Sequence, residues 1–68
     1  MEPRLCAWAY ERALDKGRYF ISTQQYESDR AKLYRWRRGY EKLTGDFKFS
    51  QLMIKKHPEG LQIVKKYT

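Results

Sequence analysis

Apolar residues recur every three or four positions near the start of the chain, which predicts an amphipathic helix over about 3–16. Pro3 suits the first helical turn, where its missing N–H leaves no hydrogen bond unmade, and Gly17 is a typical helix stop. Trp8 falls on the side opposite the apolar stripe, among charged residues. The stripe is the predicted core side and contains Leu5, Cys6, Ala9, Tyr10, Ala13 and Leu14.

The next segment, RYFIS at 18–22, is short, aromatic and β-branched, which favours a strand or an extended connector. Ser22 and Gln25 have the spacing of a capping box, and Thr23 is the alternative cap. A second helix is therefore predicted over about 24–43. Its apolar residues have the spacing of a packed seam, which contains Tyr26, Leu33, Trp36, Tyr40 and Leu43.

The last part of the chain predicts a β-hairpin over about 47–67. KHPEGL has proline at the second position of a type I turn and glycine two residues later, which indicates a three-residue loop. Pairing His57 with Leu61 sets the predicted register and pairs Ile54 with Val64 on one face. The other face collects Phe47, Phe49, Met53, Leu61, Ile63 and Tyr67.

Two helices and a hairpin predict a single small basic α+β domain over residues 1–68. The alternative is an all-α fold with a short third helix at 50–57, because SQLMIKK does not alternate strictly. A basic hairpin after a basic helix is winged-helix-like in outline, and the hairpin would be a second arm on the nucleic-acid backbone. The similarity is one of shape, because YESDRAK before LYRWRRGY has no glycine and predicts continuous helix in place of a helix-turn-helix turn.

The net charge of +7 lies in the second half of the chain. Residues 1–31 contain five basic and five acidic side chains, whereas residues 32–68 contain ten basic and three acidic ones. A one-sided basic field attracts polyanions such as nucleic acid, an anionic membrane or an acidic protein. The other explanation is a solvated surface that keeps a small protein soluble.

LYRWRRGY, residues 33–40, contains the strongest candidate site. Tyr34 is predicted to point away from the seam toward solvent, with arginines three or four residues away on the same surface. Arginine forks bind phosphates and guanine edges, and tyrosine stacks on bases. In the alternative, Glu27 and Glu41 pair with those arginines on a solvated face. The predicted nucleic-acid-binding residues are Arg30, Tyr34, Arg35, Arg37, Arg38 and Lys42 in the helix and Lys55, Lys56, Lys65 and Lys66 in the hairpin.

Catalytic and metal chemistry have little support in the sequence. A usual zinc site needs about four Cys or His ligands, and the chain has only Cys6 and His57. Cys6 lies on the predicted core stripe and His57 precedes a proline in a turn, so neither indicates a catalytic group. No glycine-rich phosphate loop is present. We therefore expect no enzymatic activity, no cofactor and no metal.

The cellular location is expected to be intracellular, in the cytoplasm or nucleoid. A single cysteine fits a reducing compartment. No apolar run approaches the ~20 residues of a membrane span, and the first residues lack the apolar block of a signal peptide. We therefore expect no membrane partner.

The predicted function is binding of nucleic acid, with duplex DNA favoured over RNA, in a regulatory or architectural role such as that of a phage or mobile-element protein. RNA ranks lower because nothing matches the aromatic sheet motif of common RNA-binding modules. The alternative is a protein-binding module or inhibitor that docks on an acidic partner through Trp8 and the basic face, because Trp, Tyr and Arg often carry interface energy. A homodimer through Trp8 or the hairpin edge is a further hypothesis.

Overall fold

The fold contains two helices and a three-stranded antiparallel sheet, as seen in a computed structural model that describes residues 2–66. The α+β prediction is confirmed, and the all-α alternative is wrong because 52–57 form a strand. Tyr67, a predicted hairpin residue, lies outside the described residues. The elements are α1 (Pro3–Lys16), β1 (Arg18–Ser22), α2 (Tyr26–Thr44), a short 3-10 helix (Lys48–Gln51), β2 (Leu52–His57) and β3 (Gly60–Lys65).

Helix α1 has the predicted bounds. The structure of its C-terminal end explains why the local sequence was enough to predict where the helix stops. Gly17 takes the left-handed conformation with φ 90°, and its backbone N–H donates to the carbonyl of Ala13 at 2.8 Å. Glycine adopts this conformation without steric penalty, so it stops the helix at that point.

Helix α2 begins two residues later than predicted, and the predicted capping box is wrong. Gln25 occupies the N-cap position, and no side chain caps the helix. The Thr23 hydroxyl oxygen instead accepts a hydrogen bond from the backbone N–H of Gln25 at 3.0 Å, which shapes the turn between β1 and the helix. Thr23 therefore uses its hydroxyl group in a local turn, where it does not cap the helix.

Strand β3 lies in the middle of the sheet, between β1 and β2. His57 pairs with Gly60, so the hairpin loop has two residues and the predicted His57–Leu61 register is wrong by one position. The predicted start at residue 47 is also wrong, since the chain forms the 3-10 helix before β2. A slip of one residue exchanges the two faces of a strand, so Ile54 rather than Met53 faces the core.

Both helices pack on the same face of the sheet, and the core lies between the two layers. Leu5 and Leu43 were predicted in the core but are 53% and 88% exposed. They lie in the first turn of α1 and the last turn of α2. These helix ends extend beyond the part of each helix that is packed in the core, so their apolar side chains are exposed. The buried core consists of Cys6, Ala9, Tyr10, Ala13, Leu33, Phe49, Leu52, Ile54, Leu61 and Ile63.

Tyr10 joins the two helices at the centre of this core. It is fully buried, and its hydroxyl donates to the carbonyl of Leu33 in α2 at 2.9 Å. Its ring stacks on Trp36 with centroids 5.6 Å apart, and Phe49 packs at 5.4 Å. Burial raises the pKa of Tyr10 well above its ordinary range, so the hydroxyl stays a neutral donor and the position of α2 on α1 is fixed by a buried hydrogen bond.

Candidate nucleic-acid interface

The solvent side of α2 carries a row of three exposed cations, Arg35, Arg38 and Lys42, which we call the α2 basic face. Residues three, four and seven apart lie on one side of a helix, so the row runs along the axis. The helix has 19 residues and is about 28 Å long at ~1.5 Å per residue. Its opposite side packs on the core through Leu33, which holds the basic face outward.

The cations of α2 have no carboxylate partners among residues 2–66. The ion pairs found there are Lys16–Asp15 at 3.7 Å and Lys48–Asp46 at 4.0 Å, and neither involves the helix. The predicted pairing of the α2 arginines with Glu27 and Glu41 is therefore wrong. A row of cations without local compensation produces a positive potential in solvent.

Tyr34 is not the solvent-facing residue that the sequence predicted. It is half-buried and packs against the core. It follows Leu33 directly and is therefore only about 100° from it around the helix, at the border of the buried side. The guanidinium carbons of Arg30 and Arg37 lie 5.0 Å and 4.8 Å from its ring centroid. The ring is thus already covered in part by two cations within the fold.

Arg37 makes hydrogen bonds within the fold. It is half-buried, and its Nη1 donates to the carbonyl oxygens of Leu52 at 3.1 Å and Phe49 at 3.4 Å. These bonds tie α2 to the 3-10 helix and to the start of β2. Arg37 was predicted as a nucleic-acid contact, yet its guanidinium is directed into the fold.

Replacing Arg37 by methionine is expected to lower the free energy of unfolding by roughly 1.5–3 kcal/mol, because charged hydrogen bonds to half-buried carbonyls are lost. Arg35→Met, at an exposed position of the same helix, is the matched control and should change stability by less than ~0.5 kcal/mol. Urea denaturation followed by circular dichroism measures both. Equal stabilities of the two variants would contradict the structural role.

The predicted hairpin lysines lie on different sides of the molecule. Lys56 is on the helix side of the sheet, with its Nζ 5.7 Å from the Tyr26 ring centroid at the start of α2. Lys55 is on the opposite face, because neighbouring strand residues alternate. Lys65 is at the other end of the sheet and only partly exposed, and Lys66 is exposed beyond the end of β3. Lys56 therefore lies beside the start of α2, on the side of the helix that faces the core, whereas Lys55 lies on the other face of the sheet.

Lys32 belongs to the α2 surface although sequence reasoning left it out. With Arg35 it lines a shallow cavity of about 200 Å³, together with Pro3, Cys6 and Trp36. The sequence offered one signal for including Lys32: it lies three residues before Arg35, and residues three apart are neighbours on a helix surface. Cys6, which also lines this cavity, is buried, and burial raises the pKa of its thiol.

Trp8 is partly packed within the fold and partly exposed to solvent. Its ring packs on Tyr19 of β1 in a T-shaped arrangement, with centroids 5.2 Å apart and rings at 90°. The guanidinium of Arg12 lies 4.9 Å from the ring centroid. The side chain is nevertheless 46% exposed, and Leu5 one turn earlier is 53% exposed. This side of α1 therefore presents a small apolar patch next to strand β1.

No family model, curated protein or solved structure matches this chain. Within residues 2–66, neither helix is long and apolar enough to cross a membrane. The same residues contain no group of three or more histidine, cysteine or carboxylate side chains arranged to hold a metal ion.

Proposed function

We propose that this chain is a small nucleic-acid-binding protein that binds duplex DNA through the α2 basic face. The observation that carries the proposal is the row of three exposed cations with no carboxylate within 4 Å among the described residues. Arginine and lysine side chains donate to phosphate oxygens, and the major groove of B-form DNA admits an α-helix. Lys32 and Arg30 flank the row, and Lys56 adds a cation near the start of the helix.

Small residues on the side of α2 that carries the cations support close contact between the helix and a ligand. Ser28, Ala31 and Gly39 lie on the same side of α2 as the α2 basic face. A Cβ atom at Gly39 would meet nothing within 4 Å, so packing does not require glycine there. A glycine inside a helix costs about 1 kcal/mol relative to alanine. Its presence is explained if the helix backbone approaches a phosphate or the edge of a groove.

Gly39→Ala is expected to stabilise the protein by about 0.5–1 kcal/mol and to weaken duplex binding. The two effects have opposite signs because the methyl group favours the helix and obstructs close approach. Thermal unfolding and a binding titration measure them on the same sample. A stabilised variant with unchanged affinity would show that the backbone at Gly39 does not contact the duplex.

The main test is fluorescence anisotropy with a labelled mixed-sequence duplex and the double variant Arg35→Ala/Arg38→Ala. Removing two phosphate contacts should weaken binding at low salt by about 10- to 100-fold. Arg4→Ala/Lys16→Ala is the matched control, since it removes two exposed charges from α1 and changes the net charge equally. Equal losses in both double variants would mean that charge alone, and not the α2 basic face, governs binding.

The role that fits this proposal is regulatory or architectural, as in a phage or mobile-element protein that acts in the cytoplasm or nucleoid without catalysis of its own. Small size and a net charge of +7 support it, because such proteins associate with DNA largely through the phosphate backbone.

A second candidate is a protein-binding module, favoured by the exposed Leu5–Trp8 patch on α1. A partner with an acidic rim would pair with Arg4 and Arg12 around a buried tryptophan, which is a common energetic centre of interfaces. Trp8→Ala separates the two candidates. Unchanged duplex affinity together with loss of a co-purifying protein would favour this one.

A further inference from the structure

One face of the sheet carries no helix among residues 2–66. Alternate strand residues point to opposite faces, and the buried residues Ile54 and Ile63 mark the helix side. The residues between them form the other face, which we call the helix-free sheet face. Its main side chains are Arg18, Phe20, Met53, Lys55, His57 and Val64.

An aromatic pair lies on this face. Phe20 on β1 and His57 on β2 have ring centroids 4.6 Å apart with the planes at 61°. The two strands are not neighbours, and the rings meet across β3 because Gly60 between them has no side chain. The His57 Nδ1 accepts a hydrogen bond from the backbone N–H of Glu59 at 3.1 Å, which orients the ring. Phe20 is held in place by this contact and is still 38% exposed.

The charged side chains of the strands around the pair are positive, and the acidic residue next to it in the chain is Glu59 in the hairpin loop. Arg18 lies two residues before Phe20 on the same strand, and Lys55 lies in the same row across β3, where Phe20 and Lys55 both pair with Gln62. Both cations are exposed. None of the residues in the three strands is acidic. The helix-free sheet face therefore combines an exposed ring with cations on two sides.

We propose that the helix-free sheet face binds single-stranded nucleic acid, with an unpaired base on Phe20 and the phosphates on Arg18 and Lys55. Aromatic side chains in a basic groove are the usual means by which proteins hold single strands. Bases must be unstacked to reach such a ring, so this face selects single strands, whereas the α2 basic face has no comparably free ring. The proposal does not depend on duplex binding by α2.

The charge argues against the other occupants of an open sheet face. A two-fold contact between copies places the same patch against itself, which would bring Arg18 and Lys55 of both copies together. Like charges across an interface are strongly unfavourable. An acidic peptide would satisfy the two cations but would leave the exposed ring of Phe20 without a stacking partner.

The test uses labelled oligo(dT) and oligo(U) of about 12 nucleotides, within the usual site size of such surfaces, in anisotropy titrations at low salt. Phe20→Ala is expected to weaken binding by about 5- to 150-fold, the usual effect of removing one base–aromatic stack. Phe47→Ala is the matched control, because Phe47 is an exposed ring outside the sheet, and it should bind like the parent. Comparison of the two oligonucleotides shows whether the strand is DNA or RNA.

Several outcomes would overturn the proposal. These are no binding of either oligonucleotide by the parent, equal affinities of Phe20→Ala and Phe47→Ala, or loss of binding only in Arg35→Ala/Arg38→Ala. If Phe20→Ala fails to fold by circular dichroism, Lys55→Ala replaces it and should lower the salt slope of binding by about 0.7. Duplex titrations of the same variants report separately on the α2 basic face, so failure of one proposal is distinguishable from failure of the other.

Discussion

Gly60→Ala is expected to remove a large part of the protein's stability. A Cβ atom at Gly60 would overlap the carbonyl oxygen of Ile21 and come within 2.9 Å of the backbone nitrogen of Thr23. Both are backbone atoms next to the β1–β3 pairing, so neither can move without breaking the sheet. The expected loss is about 3 kcal/mol or more, against a total of roughly 3–10 kcal/mol for a chain of this length.

Thermal and urea unfolding followed by circular dichroism measure this effect. Gly39→Ala is the control, since it is the same substitution at a position where the added atom meets nothing within 4 Å. We expect the two variants to shift the midpoint in opposite directions. A Gly60→Ala protein with the parent's midpoint would show that β1 does not cross close to the hairpin turn.

Raising the salt concentration from 50 to 200 mM is expected to weaken duplex binding by ~10³-fold if about six phosphates are neutralised. The reason is that each phosphate contact releases counterions condensed on the DNA, and this release is less favourable when the salt concentration in solution is higher. The slope of log affinity against log salt should be about −5. The cations available for these contacts are Arg30, Lys32, Arg35, Arg38, Lys42 and Lys56.

Anisotropy titrations at four or more salt concentrations give the slope. The double variant Arg35→Ala/Arg38→Ala should reduce its magnitude by about 2, and Arg4→Ala/Lys16→Ala should leave it unchanged. Affinity that hardly varies with salt, or a parent that does not bind at 50 mM, would contradict phosphate binding by α2.

The helices were predictable because their signals are local. Pro3 and Gly17 fix the bounds of α1 within a few residues of sequence, and Gly45, with φ 71°, marks the end of α2. Hydrophobic periodicity also identified Leu33 as a core residue of α2. The exposed positions of Arg35, Arg38 and Lys42 follow from the same periodicity, since they lie opposite that residue.

The hairpin register was not predictable from the turn alone. KHPEG fits a two-residue loop or a three-residue loop, and the difference is whether Gly60 is a strand residue. The pairing of Gly60 with Ser22 of β1 decides this, and that contact is distant in sequence. The one-residue error in the predicted register placed Lys55 on the core side of the sheet. The prediction therefore did not recognise that Lys55 shares the helix-free sheet face with Phe20 and Arg18.

Tyr34 and Arg37 were misplaced for a related reason. Both lie at the border between the buried and exposed sides of α2, where the helical wheel does not decide burial. The carbonyl of Leu52, which Arg37 binds, becomes available only because the 3-10 helix brings the chain back beside α2. A tertiary contact of this kind leaves no mark in the local sequence.

The central position of β3 has a consequence for how the protein folds during synthesis. Both edge strands pair with β3, which is the last of the three to leave the ribosome. Elongation proceeds at about 5–20 residues per second, so β1 waits for seconds without a hydrogen-bonding partner. Native pairing of residues 18–22 with residues 60–64 also closes a long loop, which slows folding of small domains. The nascent chain therefore acquires its sheet in one late step, after both helices and all their basic side chains have been made.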